Sequence, residues 1–253
     1  MSAPVAVVTG GGGVLGGAIA RALVADGSQV VLVDVDSAAV TEQAEAIAHD
    51  TGSDVVGWVG DITSDEHNRR LVQRIGDTYG RLDQLVNNAG RAQRAPFGAL
   101  DNAEWAAVSA VNVWGPASLC QAATELWRAK TETAHVVNIS SRTWLTGGPL
   151  AYVSTKAGVI GLTRALAVEL APLDVTVNAV APSTVLTPFI GNGRSEDELR
   201  SHLERHRAMS LLGRLATPDD IAAAVAFLAS PRATFITGEV LHVSGGAQLA
   251  PPP

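Results

Sequence analysis

Seven short runs of mostly β-branched and other apolar residues alternate with helix-length segments along this chain. The runs read VAVVTG, QVVLVDVD, DVVGWVGD, LDQLVNNAG, AHVVNIS, VTVNAVAP and EVLHVSGG. Most are continuously apolar, which is typical of strands buried on both faces and therefore of a parallel sheet. Segments with helical periodicity lie between them, at residues 14–25, 37–49, 64–79, 101–129 and 151–171. Because parallel strands are joined by right-handed crossovers, the pattern predicts an α/β fold with a doubly wound, Rossmann-like parallel sheet of about seven strands and helices on both faces.

The alternation continues over almost the whole chain without a linker. No Pro-, Gly- or Ser-rich stretch divides the 253 residues, so we expect a single domain over residues 1–253. Residues 188–215 interrupt the rhythm with the polar sequence GNGRSEDELRSHLERHR, and so long a connection predicts a mobile lid. The proline-rich end, residues 249–253, predicts a disordered tail.

The charge and cysteine content exclude several classes of function. The net charge is −7 and no Lys/Arg cluster stands out, which argues against a nucleic-acid or membrane-surface partner. No apolar run reaches the ~18 residues that span a bilayer, and no secretory signal is evident, so we expect a soluble, cytoplasmic protein. Cys120 is the only cysteine, which excludes an intrachain disulfide and a thiolate metal cluster, and no metal site is predicted. Cys120 is interpreted as a packing residue.

A glycine-rich loop follows the first predicted strand and opens a helix. It reads T-G-x-x-G-x-x-G through Thr9, Gly10, Gly13 and Gly16, or T-G-x-x-x-G-x-G with Val14 in place of a glycine. Glycines in this context let the backbone approach a pyrophosphate, whose charge the helix N-terminal amides meet. The alternative is a merely flexible turn. We interpret the loop as nucleotide-binding, with contacts from Gly10, Gly13, Val14, Leu15 and Gly16.

An acidic residue ends the second predicted strand. Asp34 lies 18 residues after Gly16, and a carboxylate there can accept both adenosine ribose hydroxyls while repelling a 2′-phosphate. No Arg or Lys lies within several residues of Asp34, so NAD(H) is favoured over NADP(H) as the cofactor. The alternative is that Asp34 is a helix-capping or solvent-facing acid.

Tyr152 and Lys156 are four residues apart in the fifth predicted helix, within AYVSTKAG. This spacing puts an ammonium beside a phenol, and a nearby cation favours the phenolate and lowers the pKa of the tyrosine. Such a phenol can exchange a proton with a substrate hydroxyl or carbonyl. Ser140 and Ser141 end the fifth predicted strand, where ligands bind in open α/β sheets, and either hydroxyl can contact a reacting oxygen.

Together these motifs resemble those of the short-chain dehydrogenase/reductase family, in its single-domain branch of about 250 residues. The likeness covers nearly the whole chain and is carried by residues 9–16, Asp34, GDIT, NNAG, VNVWG, NISS, Tyr152 and Lys156, VNAVAP, and the C-terminal GRLATPDDIAAAVAFLAS and ITGEVLHVSGG. It implies one dinucleotide-binding and catalytic domain, hydride transfer between NAD(H) and a secondary alcohol or carbonyl, and a homo-oligomer, either a tetramer or a dimer.

The resemblance also assigns roles to residues by position. Tyr152 would be the general acid/base, Lys156 would lower its pKa and hold the nicotinamide ribose, and Ser141 would orient the reacting oxygen. Asn112 would kink the fourth helix and position a water in a proton relay. The remaining cofactor contacts would come from Asp61 and Ile62 at the adenine, from Asn88, Ala89 and Gly90 on the adenosine side, and from Pro182, Val185 and Thr187 near the carboxamide and pyrophosphate.

The sequence departs from the family pattern at three places. Pro182-Ser183 replaces Pro-Gly, and Ser244 replaces an aspartate in VSGG. Tyr152 lies eleven positions after Ser141, one or two fewer than in the family pattern. The shorter spacing leaves open whether Ser140 or Ser141 faces the substrate, and we favour Ser141.

Substrate recognition is expected from the loops at residues 91–97, 142–150 and 188–212. Arg94 and Arg142 are candidate cationic contacts and Trp144 a candidate apolar wall, although surface or core roles explain these residue types equally well. Sugar acids, polyols, steroids, acyl thioesters and cyclic alcohols all stay open as substrates.

Three other functions compete with an NAD-dependent dehydrogenase. One is an NADP-dependent carbonyl or 3-oxoacyl reductase, and another is an extended-type epimerase or dehydratase, which the first glycine count suggests. The longer C-terminal substrate region of such epimerases is absent here. The third is a non-catalytic NAD-binding scaffold or sensor, which the presence of Tyr152, Lys156, Ser141 and Asn112 argues against.

Overall fold

The structure is a computed structural model that describes residues 3–129, 132–187 and 195–249. Part of the predicted lid, residues 188–194, and most of the predicted tail, residues 250–253, lie outside the described residues.

All seven predicted strands form and pair in one parallel sheet. Their order is β3-β2-β1-β4-β5-β6-β7, so the direction of winding reverses between β1 and β4. The predicted doubly wound, Rossmann-like α/β fold is confirmed. The strands are β1 (Val5–Thr9), β2 (Gln29–Asp34), β3 (Val55–Val59), β4 (Gln84–Asn87), β5 (Ala134–Ile139), β6 (Val175–Pro182) and β7 (Val240–Val243).

Helices cover both faces of the sheet and bury two apolar clusters against it. One cluster joins α1, α2 and α9 to the sheet, and the other joins α3, α5 and α7 to its opposite face. The helices are α1 (Val14–Ala25), α2 (Ser37–Thr51), α3 (Asp65–Tyr79), α4 (Asn102–Ser109), α5 (Gly115–Ala129), α6 (Thr143–Thr146), α7 (Leu150–Leu170), α8 (Glu196–Met209) and α9 (Pro218–Leu228). Among the described residues, no helix has the length and apolar character that crossing a membrane requires.

The long helix predicted at residues 101–129 is not uniform. A π-helical turn, Ala110–Trp114, separates α4 from α5. In such a turn the amide of residue i donates to the carbonyl of residue i−5 instead of residue i−4, and π-helical turns occur often at functional sites. Asn112 lies at the centre of this turn, so the predicted interruption of the helix at Asn112 appears as a π-helical turn rather than a sharp break.

The part of the predicted lid that the structure describes contains α8. Ser195 caps this helix, since its hydroxyl accepts a hydrogen bond from the amide of Glu198 and the Glu198 carboxylate accepts one from the Ser195 amide. This reciprocal capping box satisfies two amides that the first turn would otherwise leave unpaired. A short helix therefore occupies the middle of the segment for which lid motion is predicted.

Candidate active site

Three loops meet where the sheet changes its winding direction, at the carboxyl ends of the central strands. They are the glycine-rich loop after β1, residues 88–91 after β4, and residues 140–142 after β5. Open α/β sheets bind ligands in the crevice at this point. The loops bring most of the predicted site residues together.

The glycine-rich loop depends on Gly10 and Gly16. Gly10 has φ +66°, and a Cβ there would lie 2.9 Å from the Cα of Ala89. A Cβ at Gly16 would overlap the carbonyl oxygen of Gly10. Gly13, by contrast, has φ −84° and ψ 160°, which any residue adopts, so Gly13 does not supply the conformational freedom of the turn. Gly10 supplies it.

The first turn of α1 is open to an anion. No side chain caps this helix, and its first turn contains no acidic residue. The caps at α2, α3, α4, α8 and α9 come from Asp36, Ser64, Asp101, Ser195 and Thr217. The amides of Val14, Leu15 and Gly16 belong to the first turn, where no intrahelical acceptor exists, and Val14 is 46% exposed. This chemistry fits a pyrophosphate.

The carboxylate of Asp34 lies beside this loop. One oxygen accepts a 3.1 Å hydrogen bond from the amide of Gly12, and the other accepts a 3.2 Å bond from the amide of Asp36. Each carboxylate oxygen keeps a further lone pair, so both can still accept from ribose hydroxyls. The residues around α1 therefore fit the ribose and the pyrophosphate of a dinucleotide.

Thr9 and Asn88 hold the glycine loop against the end of β4. The hydroxyl of Thr9 accepts from the amides of Asn88 and Ala89, both at 3.1 Å. The Asn88 side chain donates to the carbonyls of Thr9, at 2.9 Å, and Gly10, at 3.2 Å. Asn88 thus shapes the loop through its side chain, a role that its position after a strand did not reveal.

Gly90 lies beside two of the predicted catalytic residues. A Cβ on Gly90 would lie 3.5 Å from Nζ of Lys156 and 3.7 Å from Oδ1 of Asn112. The absence of a side chain therefore leaves open space directly in front of these two polar groups.

The other predicted cofactor residues lie around the rim of the crevice. Asp61 accepts from the amide of Thr63 at 2.9 Å and from its hydroxyl at 2.8 Å. Ile62 is buried against Gly115. After β6, the amide of Ser183 donates to the carbonyl of Val243 at 3.1 Å without a positive φ, so the turn forms without the glycine that the family pattern has there.

Two more of these residues follow Pro182. Val185 is buried and forms an isolated parallel bridge with Ala216. Thr187 is partly buried and is the last described residue before the gap.

Ser141, Tyr152 and Lys156 come together at the centre of the crevice. The Ser141 side chain hydrogen-bonds Tyr152. Nζ of Lys156 lies 5.7 Å from the centre of the Tyr152 ring, as expected for residues one helical turn apart. Lys156 is buried, and its ammonium donates a 2.8 Å hydrogen bond to the carbonyl of Ile139.

Burial controls the proton affinities of this group. It raises the pKa of the Tyr152 phenol, and the hydrogen bond with Ser141 acts in the opposite direction. Burial also lowers the pKa of Lys156 to about 8. The expected net lowering of the Tyr152 pKa by the ammonium is therefore not found, because removing the phenolate from water outweighs the stabilisation from its neighbours.

The two adjacent serines have different surroundings. Ser140 is buried, and its hydroxyl donates a 2.8 Å hydrogen bond to the backbone carbonyl of Lys156. Ser141 is less buried, and its hydroxyl oxygen accepts a 3.0 Å bond from the hydroxyl of Thr143 besides contacting Tyr152. Of the two hydroxyls, the one of Ser141 thus lies beside the phenol.

Asn112 ties the π-helical turn to two other segments. Its Oδ1 accepts from the amide of Arg91 at 2.8 Å, and its Nδ2 donates to the carbonyl of Arg91 at 3.0 Å. Nδ2 also donates to the hydroxyl of Thr155 at 3.0 Å, and that hydroxyl bonds the carbonyl of Tyr152 at 2.9 Å. Thr155 therefore positions α7 relative to Asn112, and no sequence signal distinguished it from other helical threonines.

The candidate substrate residues separate into two groups. Arg94 is exposed, and its amide bonds the carboxylate of Glu104, which also pairs with Arg91 at 3.1 Å. Arg142 and Trp144 lie instead on the other side of the Ser141 loop. Arg142 is buried, and the Trp144 ring stacks on His242 with 5.9 Å between ring centres.

Cys120 is fully buried, and burial raises the pKa of its thiol to about 12. A thiol with that pKa stays protonated at neutral pH, so it is not a nucleophile. Among the described residues, no group of three or more His, Cys, Asp or Glu side chains is arranged to hold a metal ion.

Comparison with known proteins finds similar proteins over nearly the whole chain. A family profile described as enoyl-(acyl carrier protein) reductase matches residues 13–248. A (2S)-[(R)-hydroxy(phenyl)methyl]succinyl-CoA dehydrogenase subunit of Thauera aromatica is 37% identical over 246 residues, which cover 97% of this chain and 96% of that protein. A 3-oxoacyl-[acyl-carrier-protein] reductase of Aquifex aeolicus is 35% identical and covers 96% of each.

A solved structure is also similar to this chain over nearly its whole length. The crystal structure of a short-chain dehydrogenase/reductase from Brucella melitensis, described as a glucose/ribitol dehydrogenase, superposes with a TM-score of 0.86. It is 32% identical and covers 96% of both chains. The chain belongs to the short-chain dehydrogenase/reductase family of oxidoreductases.

Proposed function

We propose that this protein is an NAD-dependent dehydrogenase that transfers a hydride between NAD(H) and a secondary alcohol or its carbonyl. The observation that carries the proposal is the hydrogen bond between Ser141 and Tyr152 beside the buried ammonium of Lys156. This group lies at the same end of the sheet as the uncapped first turn of α1. A non-catalytic scaffold would have no use for a buried, desolvated lysine next to a phenol.

In the proposed reaction the protein moves the proton. When the alcohol is oxidised, the Tyr152 phenolate accepts the proton of the substrate hydroxyl, and the Ser141 hydroxyl donates a hydrogen bond to the same oxygen. The nicotinamide supplies the hydride acceptor when it is bound. In the reverse direction the Tyr152 phenol protonates the developing alkoxide.

Lys156 and Asn112 support this proton transfer. The Lys156 ammonium uses one proton on the carbonyl of Ile139, which leaves two to bond the nicotinamide ribose and to stabilise the phenolate. Asn112 Oδ1 accepts one hydrogen bond, from the amide of Arg91, and keeps a lone pair for a water in the proton relay. A relay of this kind removes the proton from Tyr152 after each oxidation and returns one after each reduction.

The position of Asp34 supports NAD over NADP. Its carboxylate is held beside the amide of Gly12, where a 2′-phosphate would meet a negative charge. The competing proposal, an NADP-dependent carbonyl or 3-oxoacyl reductase, draws on the reductase names of several relatives. Binding of NADP needs a cation near Asp34 to pair with the 2′-phosphate, and residues 31–40 contain no Lys or Arg.

An absorbance assay of the purified protein tests these proposals. We expect reduction of NAD by members of a panel of polyols, hydroxy acids and cyclic secondary alcohols, with kcat/KM for NAD at least tenfold above that for NADP. Tyr152→Phe should bind NADH normally and lose turnover by at least a hundredfold. Turnover with NADP alone would refute the assignment of Asp34, and NADH binding without turnover on any substrate would favour a scaffold.

We also propose that the chain forms a homo-oligomer, a tetramer or a dimer. Large apolar side chains are exposed on the helices that pack side by side on one face of the sheet. They include Trp105 at 38% exposure, Trp114 at 46% and Val168 at 74%. Light scattering coupled to size-exclusion chromatography measures the mass directly, and a mass near 26.1 kDa would contradict the proposal.

A further inference from the structure

Arg142 is a buried cation directly after Ser141. Its amide donates a 2.8 Å hydrogen bond to the carbonyl of Pro182, which fixes the backbone at the end of β6. The side chain is only 4% exposed, and its Nη2 lies 3.9 Å from the sulfur of Met209. Nε and Nη1 are buried and have no hydrogen-bond partner among the described residues. A guanidinium in this state is rare, because burying a charge without a partner is costly.

No acidic side chain of this chain compensates Arg142. None of the ion pairs among the described residues involves Arg142. No Asp or Glu occurs in the rest of the sequence, which comprises residues 1–2, 130–131, 188–194 and 250–253. An anion bound from solution can therefore supply the counter-charge.

Two further polar atoms on the same side of the loop lack partners. The indole Nε1 of Trp144 and the Nε2 of His242 are both buried without a hydrogen bond in the described structure. The two rings stack, and His242 pairs in register with Ala181, the residue before Pro182. Burial lowers the pKa of His242, so its ring is neutral near pH 7 and can donate one proton. Three groups with unused N–H donors thus lie between the Ser141 loop and β7.

A cavity lies next to this group. His242 and Ser210 line it together with Arg214 and Asp220, whereas Arg142 and Trp144 are not among its lining residues. Ser210 follows Met209, whose sulfur contacts Arg142. The cavity has a volume of about 260 Å³, which is enough for part of a small organic acid.

We propose that Arg142, together with the indole N–H of Trp144, binds a carboxylate of the substrate, so that the substrates are hydroxy acids and the corresponding oxo acids. The inference rests on the proposed function, since it places the reacting hydroxyl at Ser141 and Tyr152. The guanidinium fork matches a carboxylate in a bidentate geometry, and the indole supplies a further donor. Arg142 directly follows Ser141 in the chain, so the proposal requires a substrate long enough to extend from the Tyr152 phenol to the guanidinium.

Matched pairs of substrates test the proposal. The probes are 3-hydroxybutanoate, 4-hydroxypentanoate and 5-hydroxyhexanoate, each compared with its neutral amide. For at least one pair we expect kcat/KM of the carboxylate to exceed that of the amide ten- to a hundredfold. Arg142→Met should bring this ratio close to one, mainly through KM. Arg69→Met removes an exposed cation on α3 and should leave the ratio as in the wild type.

A binding measurement separates this inference from the proposed function. Hexanoate should raise the thermal unfolding temperature of the wild type more than hexanamide does, and Arg142→Met should abolish the difference. If no alcohol is turned over but this difference is found, the proposed function fails and the anion site stands. If alcohols are turned over with equal kcat/KM for acid and amide in both proteins, the anion site is wrong and the proposed function stands.

The other possible counter-charge is an acidic group of a second copy of the chain. In that case Arg142→Met would weaken the oligomer in size-exclusion chromatography and leave the ratio of acid to amide unchanged. That result would overturn the proposed substrate site.

Discussion

The ammonium of Lys156 donates a 2.8 Å hydrogen bond to the carbonyl of Ile139, the last residue of β5. The bond holds a buried charge between α7 and the sheet, and one neutral acceptor does not replace the water that the ammonium loses. Burial accordingly lowers the pKa of Lys156 from 10.5 to about 8. The buried ammonium of Lys156 therefore lowers the stability of the folded protein.

Replacing Lys156 by Met should stabilise the fold at pH 7. A lowered pKa means that the unfolded chain binds the proton more tightly than the folded one, so the penalty is full below pH 8 and disappears as the pH rises towards 10.5. We expect a gain of at most about 3 kcal/mol in unfolding free energy at pH 7, with loss of turnover. Urea unfolding at pH 7 and pH 10 measures it, with the exposed Arg164→Met as the control. A destabilised variant at pH 7 would contradict the prediction.

Ser141 and Ser140 should differ in what their loss does. Ser141→Ala removes the hydroxyl beside Tyr152, and we expect kcat to fall about a hundredfold with little change in stability. Ser140→Ala removes the bond to the Lys156 carbonyl and should cost about 1 kcal/mol in unfolding free energy, with a much smaller effect on kcat. Steady-state kinetics and thermal unfolding of both variants decide the matter. A larger loss of kcat in Ser140→Ala would reverse the assignment.

The pH dependence of alcohol oxidation should also respond to Ser141. The hydrogen bond with Ser141 lowers the pKa of Tyr152, which burial raises. Oxidation needs the phenolate, so kcat/KM should increase with pH and level off above the pKa of Tyr152. In Ser141→Ala, the pH at which kcat/KM increases should be higher than in the wild type. If the dependence of kcat/KM on pH is the same in both proteins, a group other than Tyr152 controls the increase.

Gly16 and Gly13 form a matched pair in the cofactor loop. A Cβ at Gly16 would overlap the carbonyl of Gly10, whereas one at Gly13 would lie 3.4 Å from that oxygen, an ordinary contact. We expect Gly16→Ala to weaken NAD binding at least tenfold and to lower the unfolding temperature, and Gly13→Ala to change both little. Calorimetric titration with NADH and thermal unfolding compare them. Equal effects would show that the loop rearranges around either methyl group.

Asp34 should determine the choice between the two cofactors. Asp34→Asn keeps the shape of the side chain and removes the charge that would repel a 2′-phosphate. We expect the preference for NAD over NADP to decrease by about tenfold, an effect of about 1.4 kcal/mol. Asp77→Asn removes an exposed charge on α3 and serves as the control. An unchanged ratio of kcat/KM for the two cofactors would exclude Asp34 from the discrimination.

Local patterns in the sequence determined the strands and most of the helices. The bounds of α1 match the prediction, and Asp36 and Ser64, each directly before its helix, cap α2 and α3. Strand propensity, helical periodicity and capping all involve residues close in sequence. The proximity of Tyr152 and Lys156 could likewise be predicted from their four-residue spacing within a single helix. These features depend on interactions within a few residues.

The tertiary structure alone decided the features that depend on distant residues. The π-helical turn at Asn112 is tied to Arg91 and Thr155, which lie 21 and 43 residues away. The carbonyl of Lys156 engages Ser140 and leaves Ser141 beside Tyr152, and burial, not composition, raises the pKa of that phenol. Arg142 resembles a surface cation in the sequence, and only its packing against the end of β6 and against Met209 of α8 leaves it buried without a counter-charge. Burial and hydrogen bonding between segments are properties of the whole fold, and no window of sequence contains them.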